Sequence, residues 1–243
     1  MVIGKVLSFI LLLSTAQTTL VSGFTAVSPA TLTSRSSLLL PPLRSAEQSV
    51  ITKEFITKTA IGNDNDNDDE RNHLVAKLLA ACAENGQVGS KLAEEDRSII
   101  DGIAASLGPL SSPSPAKIKL SGKHELIYSA SPSASSGALG PFTGTVSQSF
   151  LDETMFINRV EFFAGAIKIE LYAERKVLDD TRIRVKFKET VISLLGKEIK
   201  RFEAKGSGIW DYVFAGSVTT PSGEKMLLRV MKTPSTFVIV QRE

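Results

Sequence analysis

The 243-residue chain has a single cysteine, Cys82, so no intramolecular disulfide staples its fold. The cysteine sits on the apolar stripe of a helical stretch, where it reads as a small buried hydrophobe rather than a reactive thiol. Catalytic signatures are also missing. No Gly-x-Ser-x-Gly elbow, His-Glu-x-x-His pair or glycine-rich phosphate loop occurs, and Gly206-Ser207-Gly208 lacks the later glycine and the helix of a dinucleotide fingerprint. After the N-terminal segment, no apolar run is long enough to span a bilayer. Acidic residues are absent from residues 1–46, which carry Lys5, Arg35 and Arg44. That +3, set against +2 for the whole chain, leaves about −1 for the remainder. The basic balance therefore belongs to the N-terminal segment, and the rest has no electrostatic footprint for nucleic acid.

Residues 1–23 read as a signal peptide, with Lys5, an apolar run from Val6 to Leu13 and the small-residue end Val21-Ser22-Gly23. Residues 24–46, rich in Ser and Thr and free of acid, read as a transit peptide. The two joined at Phe24 resemble the bipartite plastid presequence of algae with complex plastids, such as diatoms. The lone cysteine suits the stromal product this implies.

Residues 47–70 read as a disordered acidic linker ending in an Asn-Asp run. As a calcium loop counted from Asp64 the run fails, because position 6 is Asp69 where glycine is needed and position 12 is Val75 where glutamate is needed. A helical segment follows over 71–110. One helix is predicted from Glu70 to Glu84, with Leu74, Leu78, Ala81 and Cys82 on its stripe and Gly86 as its stop. A second is predicted from Leu92 to Leu107, with Ile99, Ile100, Ile103 and Leu107 on its stripe. Ser111 to Pro115 reads as a linker.

From residue 116 to 243 the apolar period becomes two. Ile167, Ile169, Leu171 and Ala173 alternate with Lys168, Glu170, Tyr172 and Glu174, and a turn at Asp179-Asp180 leads to Ile183, Val185 and Phe187 alternating with Arg182, Arg184, Lys186 and Lys188. Glu170 and Glu174 are placed to face this cationic row. Eight strand-like runs are predicted: 118–129, 142–150, 155–163, 166–177, 181–190, 206–214, 224–232 and 236–241. They imply a mainly β chain whose strands close into an antiparallel up-and-down barrel, preceded by two helices, since closure removes aggregation-prone edges. Residues 191–205, too long for a tight turn, read as a flap over the barrel mouth. Arg182, Arg184, Lys186 and Lys188 are candidates to face anionic lipid, at about 1 kcal/mol per charge near the surface; a solvated outer face is the alternative.

Leu78-Leu79, Asn85-Gly86, Glu95-Asp96-Arg97, Leu120 to Ser129, Gly144 and Gln148, Asn158 to Phe162, Arg184 to Phe187, Gly208 to Tyr212, Leu228-Arg229 and Phe237-Val238 recur in an order and spacing that resembles the plastid lipid-associated protein family, or fibrillins, from Leu74 to the C-terminus. The resemblance implies a lipocalin-like barrel, non-enzymatic and without cofactor, that binds prenylquinones, tocopherols, carotenoids or acyl lipids at plastoglobules or thylakoids. The inward face of the alternating strands puts Phe162, Ile167, Ile169, Leu171, Ile183, Val185 and Phe187 on the expected cavity wall, and the resemblance implies a plug at the barrel's end from His124, Trp210 and Arg229. Histidine stands at 124 where the family has tryptophan, and Thr219 to Lys225 replaces an Asp-rich turn. Two other readings stay open: a docking partner for a plastid prenyl-lipid biosynthetic enzyme, and a small barrel cyclase or isomerase.

Overall fold

The computed structural model describes residues 64–132, 134–220 and 222–242. The presequence and the linker up to residue 63 lie outside the described residues. Two helices, α1 (Asp64–Asn85) and α2 (Glu94–Ser106), precede eleven strands: β1 (Gly122–Ser129), β2 (Ala138–Leu139), β3 (Phe142–Thr143), β4 (Thr145–Phe150), β5 (Met155–Phe162), β6 (Ile167–Val177), β7 (Arg182–Leu194), β8 (Lys197–Glu203), β9 (Ser207–Thr219), β10 (Lys225–Thr233) and β11 (Ser235–Arg242).

Eight of these strands form a closed ring of antiparallel pairs, in the order β1, β4, β5, β6, β7, β9, β10, β11 and back to β1. The ring is the up-and-down barrel that the period of two predicts. In β6 the residues from Ile167 to Arg175 alternate strictly between buried and partly exposed, so that Ile167, Ile169, Leu171 and Ala173 point inward. The β6–β7 turn forms as the sequence suggests. The Asp179 carboxylate accepts from the backbone N–H groups of Thr181 and Arg182 at 3.0 and 2.8 Å, an Asx-type turn.

The segment 191–205 is not a flap. Strand β7 continues to Leu194, and Leu195 and Gly196, both with positive φ (48° and 79°), reverse the chain into β8. Two successive left-handed residues suit the twist of a tight hairpin. Leucine in that conformation gives no turn signal in the sequence. Among the described residues β8 pairs only with β7, and Lys197, Glu198, Lys200, Arg201 and Glu203 along it discourage pairing at its outer edge.

Barrel and helices enclose two apolar clusters. The first fills the barrel; the second lies between its outer face at β1, β9, β10 and β11 and the helices, where Leu78, Ile100 and Leu107 meet Tyr128, Phe214, Leu228 and Val238. The helices therefore cover one side of the sheet. α1 begins at Asp64, several residues before its apolar stripe, because a helix N-terminus favours the acidic residues that open it. Gly86 ends it in the left-handed conformation, its N–H bonding the Cys82 carbonyl at 2.9 Å. On α2, Ile100 and Ile103 are buried as predicted, but Ile99 is 56% exposed and does not join the stripe.

The stretch 111–115 is also no free linker. Ser112 donates its N–H to the Ala215 carbonyl, Ala215 donates to the Ser111 hydroxyl, and Ser114 donates to the Asp180 carboxylate. Ala116, fully buried in the barrel cluster, follows this strap across one end of the barrel. Its N–H bonds the Asp180 carbonyl at 2.8 Å, and its own carbonyl accepts from the buried Arg175 at 2.9 Å.

Candidate functional site

Inside the barrel lies a cavity with about 60 Å³ of water-accessible space. The strand register gives its depth. Ser129 of β1 pairs with Phe237, Leu126 with Ile239, and His124 with Gln148 of β4, which pairs in turn with Asn158 of β5. The cavity thus runs from a hydroxyl-bearing mouth at Ser129, Ser131, Ser135, Thr233 and Ser235 to an inner end at Gln148 and Asn158. Between them the wall is apolar, built by Leu126, Val146, Val160, Ile169, Leu171 and Trp210 among others.

The mouth is held by the loop between the helices. The Gln87 side-chain amide donates to the carbonyls of Ser136 and Gly144, at 2.7 and 3.0 Å, while the Gln87 backbone carbonyl accepts from the N–H of Ser129. Gly89 in the same loop packs against Tyr128 so closely that a Cβ there would lie 2.5 Å from the ring. The helical segment therefore shapes the mouth as well as covering the sheet.

Of the seven residues expected on the cavity wall, Ile169 and Leu171 border the cavity. Phe162, Ile167, Ile183, Val185 and Phe187 are buried in the surrounding barrel cluster without lining it. Alternation identifies inward side chains but does not separate those that meet free space from those that fill it.

The structure divides the expected plug. Arg229, 1% exposed, stacks over Phe150 with its guanidinium carbon 5.3 Å from the ring centre, and it donates to Gln148 Oε1 at 2.9 Å. His124, fully buried, meets the same Phe150 ring edge-on at 5.1 Å. Phe150 is thus the ring that both residues share, and the guanidinium contact goes to it rather than to imidazole. Trp210 stands apart on the cavity wall, edge-on to Phe156 at 5.9 Å and to Phe237 at 5.2 Å. Phe150 carries no special signal in the sequence; it pairs with Gly122 at the start of β1.

Burial and the neighbouring Arg229 charge lower the pKa of His124 to about 3, so its ring is neutral at neutral pH. Its Nε2 lies 3.1 Å from the Ser121 carbonyl, an acceptor only, which places the ring proton on Nε2. Burial also lowers the pKa of Arg229, with the nearby Arg175 adding repulsion and the Tyr212 hydroxyl beside it opposing the shift. Two arginines are buried in this barrel, and no Asp or Glu is buried among the described residues.

On the outer face, the cationic row is partly neutralised. Arg182 pairs with Asp179 at 2.6 Å and Lys188 with Glu174 at 2.5 Å. Glu170 turns the other way, to Arg159 of β5 at 2.7 Å. Arg184 and Lys186 form no ion pair among the described residues, and both are exposed.

In comparisons with known proteins, the PAP_fibrillin family model matches residues 72–234, from α1 to the end of β10 and so well over half of the chain. No curated protein and no solved structure matches.

Proposed function

The chain belongs to the PAP/fibrillin family of plastid lipid-associated proteins, and from that premise we propose that its barrel binds the chain of a hydrophobic metabolite in the cavity beneath the serine and threonine mouth. Members of the family are generally non-catalytic. The observation that carries the reading is the cavity, open at one end and apolar along its wall. At roughly 10 to 15 Å³ of such space per water, it holds about four to six waters, enough for a segment of alkyl or prenyl chain but not for a whole carotenoid. The remainder of a prenylquinone, tocopherol or acyl lipid emerges at the mouth. That arrangement suits a carrier working at a plastoglobule or thylakoid surface after import through the bipartite presequence.

Binding is favoured over chemistry by what lines the cavity. Among the described residues the wall carries amides, hydroxyls and the Trp210 indole but no carboxylate, imidazole, amine or thiol. A cyclase or isomerase needs a group whose protonation state changes near the reacting atom. The buried imidazole of His124 is held on the Ser121 carbonyl with Phe150 against its ring. Association with a lipid surface is peripheral on this reading, since among the described residues no helix is long and apolar enough to cross a membrane. Arg184 and Lys186 supply its electrostatic part.

The reading is tested by narrowing the cavity. Val160→Phe extends a ring into the free space from β5. Binding of an acyl or prenyl probe is expected to fall at least ten-fold while the circular dichroism spectrum is unchanged. Unchanged binding in a folded variant would place the lipid elsewhere.

A further inference from the structure

We infer that the inner end of the cavity is a receptor for a carboxylate, so that the guest is an acyl chain with a free acid group that enters head first and is held by the side-chain amides of Gln148 and Asn158 in the field of Arg229. This rests on the reading of the cavity as a lipid site and narrows it to one class of guest.

The orientation of Gln148 is fixed by its partner. A guanidinium only donates, so the atom of Gln148 that meets Arg229 at 2.9 Å is the carbonyl oxygen. Both N–H donors of that amide are then left for the cavity that Gln148 lines. Asn158 lies directly opposite on β5, in register, and lines the same end. Paired residues of adjacent strands have Cβ atoms about 5 Å apart, so the two amides sit side by side at the bottom of an apolar shaft. Such an end selects an oxygen acceptor over a methyl terminus.

Charge selects among acceptors. Arg229 and Arg175 are 1% and 7% exposed, and no buried Asp or Glu among the described residues neutralises either. Arg229 spends one N–H on a neutral amide and its face on Phe150, and Arg175 spends one on a backbone carbonyl. An unneutralised buried cation is costly, and an anion delivered to the far side of Gln148 offsets that cost in a medium that screens poorly. An ester, alcohol or quinone oxygen accepts the same hydrogen bonds without supplying charge. The polarised amide of Gln148 then links carboxylate and guanidinium in one hydrogen-bonded row.

The test compares palmitate with methyl palmitate at pH 8, followed through the emission of Trp210, the only tryptophan and part of the cavity wall. Palmitate is expected to bind at least ten-fold more tightly. Gln148→Leu and, separately, Arg229→Met are expected to bring the two affinities together by weakening palmitate alone, and the first leaves the guanidinium stack on Phe150 in place should the second fail to fold. Equal affinities in the unaltered protein would overturn the carboxylate receptor and leave the lipid site standing. Failure of both probes to bind would overturn the two together.

Discussion

Leu78→Ala tests whether the helices are part of the barrel's stability or an attachment to it. Leu78 on α1 has no exposed surface and lies in the cluster that joins α1 and α2 to the outer face of β1, β9, β10 and β11. Truncating a leucine at such a site removes transfer free energy and leaves a cavity, together about 3 kcal/mol. With a urea slope of about 2 kcal/mol per molar, the unfolding midpoint should fall by about 1.5 M. The probe is built in. Trp210 is the only tryptophan, 3% exposed inside the barrel and on the opposite side of the sheet from Leu78, so its emission reports the barrel and not the helices. The prediction is one transition, displaced equally by Trp210 emission and far-ultraviolet dichroism. A Trp210 transition that stays in place while helical signal is lost early would refute the view that helices and barrel fold as one unit.

Gly89→Ala places a Cβ 2.5 Å from the fully buried Tyr128 ring and should cost about 1 to 3 kcal/mol, read in the same denaturation experiment. Because the pKa of His124 falls from 6.5 to about 3 on folding, the unfolded chain takes up a proton below pH 6.5 that the folded chain refuses. The stabilisation is therefore present above pH 6.5 and lost as the pH falls toward 3, and between pH 7 and 5 the protein should lose more stability than His124→Phe does. Cys82, 2% exposed with its pKa raised to about 12 by burial, should react with a maleimide only after denaturation; rapid labelling of the native protein would contradict the packing of α1. Arg184→Gln with Lys186→Gln should weaken sedimentation with anionic vesicles by roughly ten- to thirty-fold at about 1 kcal/mol per charge, more than the same change at the ion-paired Arg182 and Lys188.

The strands of the ring were legible in the sequence because each inward face repeats at a spacing of two and most turns carry Asp, Gly or Pro. β6 and β7 show this best, from Ile167 to Phe187 around Asp179. The β7–β8 hairpin was not legible, since Leu195 adopts a positive φ that sequence assigns to Gly or Asn. Ser111 to Pro115 reads as a linker in composition, and only the bonds to Ala215 and Asp180 reveal it as a strap. The inner end of the cavity was hidden for a different reason. Gln148 and Asn158 stand among the residues that carry the family resemblance, but their meeting depends on a register between separate strands that no local pattern encodes. His124 and Arg229 drew notice through family resemblance, but Phe150, which both of them touch, did not.

The central claim, that the barrel holds a lipid inside, is tested most directly by isolating the protein from plastid membranes, extracting it with organic solvent and identifying by mass spectrometry what leaves with it. The account predicts one stoichiometric chain-bearing lipid, absent from the extract of folded Val160→Phe. An extract without lipid, from a protein that still sediments with lipid particles, would contradict it and transfer the association to the outer surface.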